Sequence, residues 1–218
     1  MLGVRPRGGA LSHTHDQPIT VENLLKREFW EALYQRDDQI WSGNVNVNLR
    51  TEVEGLKPGR ALDLGCGEGG DAIWLAKLGW TVDGADISTT ALARAEAAGK
   101  EAGVAVRWLH RDILTWRPED TYDLVSAQYM HLPPDLRRDV FTAAAAAIRP
   151  GGSLLVVGHS PKAMREFDGQ KPPQELYFEP EEITTYLGDA AQWVVETCET
   201  RGEGHHTDAV YHAKRLEA

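Results

Sequence analysis

The chain of 218 residues has the length of one large domain, and its apolar fraction of 42% and charged fraction of 26% are ordinary for a globular protein. Its formal net charge of −10 argues against binding to nucleic acid or to an anionic membrane surface, because phosphate groups are bound by basic surfaces. The two cysteines, Cys66 and Cys198, lie far apart and outside any CxxC motif, which argues against a disulfide framework or a zinc site and favours a cytoplasmic location.

The first part of the chain is predicted to be a tail followed by a helical cap. Residues 1–18 lack the apolar core of a signal peptide, so we expect a flexible tail, and no segment reaches the roughly 18 apolar residues of a membrane helix. Apolar residues at helical spacing predict a helix over residues 19–35, with Thr20 as its N-cap, and a short second helix over residues 48–55. Residues 19–56 are assigned to this cap.

Short strands and helices alternate over residues 57–160, which we assign to a cofactor-binding core. The strands are expected over residues 60–64, 81–85, 104–109, 122–127 and 153–157, and the helices over residues 71–78, 88–102 and 135–148. Ser88 is expected as the N-cap of the second helix, and Arg149–Gly152 as a turn before the fifth strand. This alternation predicts a parallel sheet with right-handed crossovers.

The end of the chain departs from this alternation. A helix is expected to begin near Glu179, within a lid segment, and two strand-like segments follow at residues 193–198 and 209–212. Since no helix fits between them, they are expected to pair antiparallel at one edge of the sheet. The prediction is an α/β protein with a doubly wound, mostly parallel seven-stranded sheet and an antiparallel C-terminal hairpin. It forms one domain over residues 19–218, in which residues 161–218 are the lid segment and hairpin.

The loop after the first strand, with the sequence GCGEGG at residues 65–70, fits two cofactor-binding templates. Gly65, Gly67 and Gly70 fit the GxGxxG pattern of dinucleotide-binding proteins, while Gly69 as the third glycine gives the GxGxG pattern of methyltransferases. In either case Asp86 lies where a carboxylate is expected to hold a ribose. The glycines therefore leave a nicotinamide cofactor and S-adenosylmethionine both open.

Two carboxylates beside the glycine loop favour S-adenosylmethionine. Asp63 stands two residues before the first glycine, and Glu68 lies within the loop. A dinucleotide would place its pyrophosphate at this helix N-terminus, where added carboxylates would oppose it. S-adenosylmethionine carries a sulfonium and an ammonium instead, for which nearby carboxylates are favourable. The alternative is that Asp63 is a turn residue and Glu68 an exposed acid.

Five segments over residues 55–160 resemble the motifs of the class I S-adenosylmethionine-dependent methyltransferases, in the family's order. They are Ala61–Gly69, Val82–Ser88, His110–Leu114, Tyr122–Ser126 with Gln128, and Arg149–Gly152. The resemblance implies that Asp86, followed by Ile87, accepts both ribose hydroxyls, and that Asp112 binds the adenine amino group while the backbone N–H of Ile113 binds the ring. The other cofactor-binding residues that it implies are Asp63, Gly65, Cys66, Gly67, Gly69 and Gln128.

The segments around this core are similar to the tellurite-resistance and thiopurine branch of the family. The similarity rests on Phe29–Tyr34 and Trp41–Gly43 before the core, and on residues 204–215 at its end. The branch usually has Arg before the tyrosine of the first segment, where this chain has Leu33. The similarity therefore does not imply a tellurite or thiopurine substrate. Trp41 is expected either to close over the methionine end of the cofactor or to anchor the N-terminal helix in the core.

Candidate residues for the methyl acceptor follow the fourth and fifth strands, because ligands of open α/β sheets bind at the carboxyl ends of strands. His131 is the first candidate for a general base, and His159 the second. Alternatively, His131 binds backbone and caps the turn before Pro133. Tyr129 serves either chemistry or packing. In the lid segment, a further three residues could contact substrate: Arg165, Phe167 and Tyr177.

The sequence predicts transfer of a methyl group from S-adenosylmethionine to a small molecule, at a nitrogen, oxygen, sulfur, selenium or tellurium atom. The alternatives are a binding protein that holds the cofactor without catalysis and, less favoured, an NAD-dependent oxidoreductase. A metal site formed by His205 and His206 with His131 is conceivable, but loop histidines are common and no metal is predicted. The expected partner is a small-molecule acceptor, not nucleic acid or membrane, and the protein is expected to be a monomer or homodimer.

Overall fold

A seven-stranded sheet forms the centre of the protein, seen in a computed structural model that describes residues 19–36, 38–163, 173–203 and 207–217. The strands are β1 (Arg60–Leu64), β2 (Thr81–Asp86), β3 (Val106–His110), β4 (Tyr122–Gln128), β5 (Ile148–His159), β6 (Trp193–Arg201) and β7 (Asp208–Arg215). Their order is β3-β2-β1-β4-β5-β7-β6. The first five strands are parallel, and β7 lies antiparallel between β5 and β6. The predicted fold class is confirmed.

Seven α-helices accompany the sheet in the described part of the chain. They are α1 (Val21–Leu24), α2 (Arg27–Arg36), α3 (Val47–Val53), α4 (Gly70–Lys77), α5 (Thr89–Glu101), α6 (Pro134–Ala146) and α7 (Glu181–Thr184). Short 3₁₀ turns lie at residues 161–163, 174–176 and 190–192. Ser88 caps α5 as predicted, since its Oγ accepts a hydrogen bond from the backbone N–H of Ala91 (3.1 Å).

The two faces of the sheet are buried in separate apolar layers. Because successive side chains of a strand point to opposite faces, Ala61 of β1 packs in one layer and Leu62 in the other. The first layer includes Leu49 of α3 and Leu75 of α4, and the second includes Phe141 of α6. Helices thus cover both faces, as in a doubly wound sheet.

The N-terminal cap is fixed to the core by polar contacts at the start of α5. The carboxylate of Glu31 in α2 accepts hydrogen bonds from the backbone N–H groups of Thr89 (2.6 Å) and Thr90 (3.3 Å). These bonds outweigh the effect of burial and lower the pKa of Glu31 to about 2. Arg94 of α5 donates to the backbone carbonyl of Tyr34 in α2. The cap therefore lies over the glycine-loop end of the sheet.

Two local predictions were wrong. The helix expected over residues 19–35 is two helices, and at the break the Leu24 carbonyl accepts a hydrogen bond from the Trp30 indole (2.8 Å) in place of a helical partner. Thr20 still caps the first of them. The expected turn Arg149–Gly152 lies within β5, where Gly151 (φ +81°) permits an irregularity in the register. The helix expected to begin near Glu179 is present as the short helix α7, with two acids in its first turn.

Candidate active site

A cavity of about 800 Å³ opens at the carboxyl ends of the parallel strands. It lies where β1 stands between β2 and β4, the point at which the strand order reverses and ligands of this fold bind. Its walls include the cap helices α1 and α2 and the loop between α2 and α3. Twelve of the predicted site residues line it: Trp41, Gly65, Cys66, Gly67, Asp86, Ile87, Asp112, Ile113, Gln128, Tyr129, His131 and His159.

The glycine loop folds tightly against the end of β2. The backbone N–H groups of Gly65 and Cys66 both donate to the carbonyl of Ala85, at 2.8 and 3.0 Å. Gly67 has a positive φ of 52°, and a Cβ atom there would lie 2.9 Å from the hydroxyl of Tyr34. Glycine is therefore needed at this position, both for the backbone conformation and for space.

Asp86 ends β2 and faces the cavity beside this loop. Its Oδ2 accepts a hydrogen bond from the backbone N–H of Gly67 (2.9 Å), and its Oδ1 accepts one from that of Ser88 (2.8 Å). Burial raises the pKa of Asp86, and these backbone bonds oppose the rise. Each carboxylate oxygen can accept a further hydrogen bond, so the side chain is suited to a pair of ribose hydroxyls.

Asp112, Ile113 and Gln128 border the same end of the cavity. The Asp112 carboxylate accepts a hydrogen bond from the backbone N–H of Leu114 (2.9 Å), which fixes the turn after β3. The Gln128 amide donates to Ser126 Oγ (2.7 Å), while its buried Oε1 has no partner among the described residues. A buried oxygen without a hydrogen-bond donor lowers the stability of the protein unless a ligand supplies the donor.

The predicted cofactor residues Asp63 and Gly69 lie behind the loop rather than in the cavity wall. A Cβ atom on Gly69 would lie 2.7 Å from Trp108, so this glycine allows close packing of the loop on β3. Asp63 is buried, and burial together with Asp71 raises its pKa. Asp71, which the sequence analysis missed, does line the cavity. Its position in the first turn of α4, directly after the glycine loop, was the available signal.

Glu68 has a different role from the predicted one. Its carboxylate accepts a hydrogen bond from the backbone N–H of Trp41 (2.8 Å) and pairs with Arg94 at the same distance. It therefore joins the α2–α3 loop to α5, and its charge is balanced by Arg94. The Trp41 indole donates to the hydroxyl of Tyr34 (2.9 Å) and lies beside Gly67, with 42% of the residue exposed. That exposure argues against Trp41 as a core aromatic.

Four aromatic side chains meet at the other end of the cavity. The rings of His131 and His159 are stacked at 5.0 Å between centroids and 24° between planes. Tyr129 lies 4.7 Å from His159, and Tyr177 presents an edge to His131 at 5.7 Å. Tyr129 has φ +53°, a left-handed conformation that is strained for an aromatic residue and is often found at functional sites.

Asp208, another residue that the sequence analysis missed, joins this cluster from the start of β7. Its Oδ1 lies 3.2 Å from Nδ1 of His159. Its Oδ2 accepts hydrogen bonds from the hydroxyl of Tyr129 (2.8 Å) and from the amide of Asn48 (3.2 Å). With Nδ1 of His159 bound to a carboxylate, the tautomer with a free Nε2 lone pair is favoured, as a general base requires.

His131 stays uncharged. Burial, followed by the proximity of His159 and Arg137, lowers its pKa to about 3. A base with so low a pKa is weak near neutral pH. No described residue hydrogen-bonds either ring nitrogen, and Nε2 is buried without a partner. The alternative in which His131 binds backbone is therefore not seen in the described part of the chain.

The wall that carries Tyr177 is held in place by Arg137, a buried residue of α6. Its guanidinium donates to the carbonyls of Leu132 (2.7 Å) and Glu175 (3.1 Å), and pairs with Glu182 (2.7 Å). Of the lid residues named from the sequence, Tyr177 lines the cavity. The other lid candidates and the loop histidines lie outside the described residues: Arg165, Phe167, His205 and His206.

Fold and cavity together define an α/β protein that binds a cofactor with a ribose and a cationic part. The charged side chains of the described cavity wall are all carboxylates: Glu68, Asp71, Asp86, Asp112 and Asp208. Such a wall suits a sulfonium and an ammonium better than a pyrophosphate, and the Asp86 carboxylate with the glycine cradle fits an adenosine ribose. The residues present therefore fit S-adenosylmethionine.

Comparison with known proteins leads to the same cofactor class. A family model described as a methyltransferase domain matches residues 61–152. Thiocyanate methyltransferase 1 of Arabidopsis thaliana is 26% identical over 69% of this chain and 70% of its own length. A ubiquinone biosynthesis O-methyltransferase of Burkholderia orbicola is 37% identical over 97 residues. The matched segment is 43% of this chain and 41% of that relative.

Solved structures share the fold. Magnesium protoporphyrin IX methyltransferase (ChlM) from Synechocystis with bound SAM has a TM-score of 0.65 at 18% identity, covering 93% of this chain and 100% of that chain. TehB from Haemophilus influenzae has a TM-score of 0.64 at 18% identity, covering 87% of this chain and 66% of that chain. Residues 61–152 therefore form a methyltransferase domain, and S-adenosylmethionine is its cofactor. The predicted family is confirmed.

Proposed function

We propose that this enzyme methylates a hydroxyl or amino group of a small molecule and that His159, oriented by Asp208, is its general base. The observation that carries the proposal is the His159–Asp208 contact at the acceptor end of the cavity (3.2 Å). A soft, already anionic nucleophile needs no base, whereas a hydroxyl or ammonium must lose a proton. A histidine held by a carboxylate can take the proton of a hydroxyl or ammonium acceptor.

Different residues along the cavity bind different parts of the cofactor and the acceptor. Asp86 holds the ribose, Asp112 and the backbone of Ile113 hold the adenine, and the Asp71 carboxylate meets the ammonium. Bound S-adenosylmethionine supplies a methyl group on a sulfonium, so that the acceptor atom bonds to this carbon while the C–S bond breaks and its electron pair stays on sulfur. His159 takes the acceptor proton at Nε2, and the Asp208 carboxylate stabilises the imidazolium that results.

The other predicted catalytic residues support this base. The hydroxyl of Tyr129 is bound to Asp208 and its ring lies against His159, so Tyr129 fixes both partners. Its strained backbone favours a catalytic site over a protein that only binds the cofactor. His131, the first candidate in the sequence analysis, is proposed to contact the acceptor without taking its proton.

The proposed acceptor is a small molecule, because it must enter a cavity beneath the cap and because the net charge of −10 is unfavourable for nucleic acid. No helix in the described ranges is long and apolar enough to cross a membrane. We further propose a cytoplasmic enzyme, in which both cysteines remain thiols, and one domain over residues 19–218 with the cap, core and lid divisions given above. It acts as a monomer or homodimer.

Formation of S-adenosylhomocysteine with matched hydroxyl, amine and thiol acceptors tests the proposal. The His159→Ala variant should lose about 10²- to 10⁴-fold in kcat on the preferred acceptor, and added imidazole should restore part of the rate. Unchanged affinity for S-adenosylhomocysteine is the check on folding. A variant that turns over the preferred acceptor at the wild-type rate would exclude His159 as the base.

A further inference from the structure

The charge of the cavity limits the acceptor. All five charged side chains of the described wall are carboxylates, and Arg94, which pairs with Glu68 at 2.8 Å, is not part of that wall. An anionic acceptor would therefore lose its hydration without gaining a cationic partner among the described residues. His131 adds no positive charge, because its low pKa of about 3 keeps the imidazole neutral.

The shape of the acceptor end favours a flat ring. His131 and His159 form one stacked wall, and Tyr177 stands edge-on to both rings, at 5.7 and 6.0 Å between centroids. Leu132 and Leu176 line the same region. Aromatic rings prefer stacked and edge-to-face partners, so a planar ring entering this space would find both arrangements.

His131 offers a hydrogen bond beside the base. Its ring lines the cavity, and neither nitrogen has a hydrogen-bond partner among the described residues. Polar groups in such a place are normally satisfied, and a neutral imidazole can both donate and accept. Its stacking on His159, with 5.0 Å between ring centroids, places this unused hydrogen-bonding capacity beside the imidazole that takes the acceptor proton.

From these observations we infer the acceptor class: an uncharged hydroxyarene with a second hydrogen-bonding group on the carbon next to the reacting hydroxyl. The inference rests on the proposed function, because His159 takes the proton of the reacting hydroxyl. His131 binds the neighbouring group and so determines which ring isomers react. Methyl transfer to oxygen yields the aryl methyl ether and S-adenosylhomocysteine, with the proton left on His159.

Three dihydroxybenzene probes test the two features of the acceptor separately: 3,4-dihydroxybenzamide, 3,5-dihydroxybenzamide and 3,4-dihydroxybenzoate. The two amides differ in the position of one hydroxyl, and the benzoate differs from the 3,4-amide in its negative charge. Turnover is measured with S-adenosylmethionine, and binding with the S-adenosylhomocysteine complex by calorimetry. The 3,4-amide should exceed each of the other two by about tenfold or more in kcat/KM and in affinity, as loss of one buried hydrogen bond or burial of one unpaired charge predicts. In the His131→Phe variant the ratio of the 3,4- to the 3,5-amide should fall close to one.

The outcomes distinguish this inference from the proposed function. Equal use of the two amides, preference for the benzoate, or a 3,4-preference that survives in a folded His131→Phe protein would overturn the acceptor class and leave His159 as base. Failure of the complex to bind either amide would also overturn it. Turnover confined to thiols and insensitive to His159→Ala would overturn both. Should His131→Phe not fold, the wild-type ratios decide alone.

Discussion

His159 and Asp208 are directly opposite each other in the antiparallel β5–β7 pair, and their side chains meet with Nδ1 and Oδ1 3.2 Å apart. The strands place the proposed base at the carboxyl end of the parallel sheet and its carboxylate partner at the first residue of β7. Because the register of the two strands fixes both backbones, the two side chains start within reach of each other. The proposed catalytic geometry thus depends on the antiparallel insertion of β7 beside β5.

Replacement of Asp208 by Asn should lower kcat by about 10²-fold or more, because the imidazole loses the carboxylate that selects its tautomer and stabilises its charged form. The KM for S-adenosylmethionine should change by less than about threefold. In the His159→Ala background the same replacement should have little further effect, since the two residues act as a unit. Asp189→Asn, at an exposed 3₁₀ turn outside the cavity, is the matched control. Additive losses in the double variant would show that Asp208 acts through the fold instead.

Replacement of Asp86 by Ala should weaken binding of S-adenosylhomocysteine by about 10- to 100-fold, measured by calorimetry. The reason is that two ribose hydroxyls lose a charged acceptor, at about 1–3 kcal/mol. The variant also frees the backbone N–H of Gly67, so thermal unfolding should be followed in parallel. Asp139→Ala on the exposed face of α6 provides the control. Undiminished affinity in a folded Asp86→Ala protein would contradict the ribose assignment.

Affinity for S-adenosylhomocysteine should fall as the pH drops from 7 to 5. Burial raises the pKa of Asp71 to about 6, so in the free protein the carboxyl is protonated below that pH. Binding of the ligand ammonium favours the ionised carboxylate, and each pH unit below 6 therefore costs up to about tenfold in affinity. Calorimetry between pH 5 and 7.5 measures this change. Two comparisons isolate it: 5′-methylthioadenosine, which lacks the ammonium, and the Asp71→Asn variant should both show a flatter dependence. Equal slopes for the two ligands would place the ammonium elsewhere.

Replacement of Arg137 by Leu should destabilise the protein by about 3 kcal/mol or more, because it leaves the Leu132 and Glu175 carbonyls without this donor and the Glu182 carboxylate without its cationic partner. Loosening of the wall that carries Tyr177 should also raise the KM for the acceptor more than that for S-adenosylmethionine. Urea unfolding and steady-state kinetics measure the two effects. Arg138→Leu, the exposed neighbour on α6, should lose less than about 1 kcal/mol. A similar loss of unfolding free energy in both variants would contradict the role of Arg137 in anchoring the wall that carries Tyr177.

Much of the cofactor half of the site could be predicted from the sequence, because its signals are local. The turn between β1 and α4 needs glycine at Gly67, where the backbone is left-handed and no Cβ fits. Ser88 marks the start of α5, and the alternation of strands with helices determines a parallel sheet whose crevice lies beside Asp86. Each of these features is specified within a few neighbouring residues, so the printed sequence alone indicates it.

The sequence could not show which carboxylates near the glycine loop are available to a ligand, and this required the tertiary structure. Glu68 lies in the glycine motif and at the cavity wall, yet its charge is balanced by Arg94, 26 residues away, whereas Asp71 lines the same cavity without a cationic partner among the described residues. Which carboxylate faces a ligand depends on side-chain packing, and proximity in sequence does not determine that packing.

The roles of the residues at the acceptor end of the cavity likewise could be assigned only from the tertiary structure. The sequence placed His131 and His159 after neighbouring strands and ranked His131 first as the base, whereas the structure favours His159, because the difference lies in what surrounds each ring. Burial and a second imidazole make His131 a neutral hydrogen-bonding group, whereas Asp208, 49 residues from His159, orients the other histidine. The sequence by itself determined the family, the sheet and the glycine loop, because backbone conformation and apolar periodicity are local properties. Only the tertiary structure decided which histidine has a carboxylate partner, because that contact depends on the register of two strands far apart in the chain.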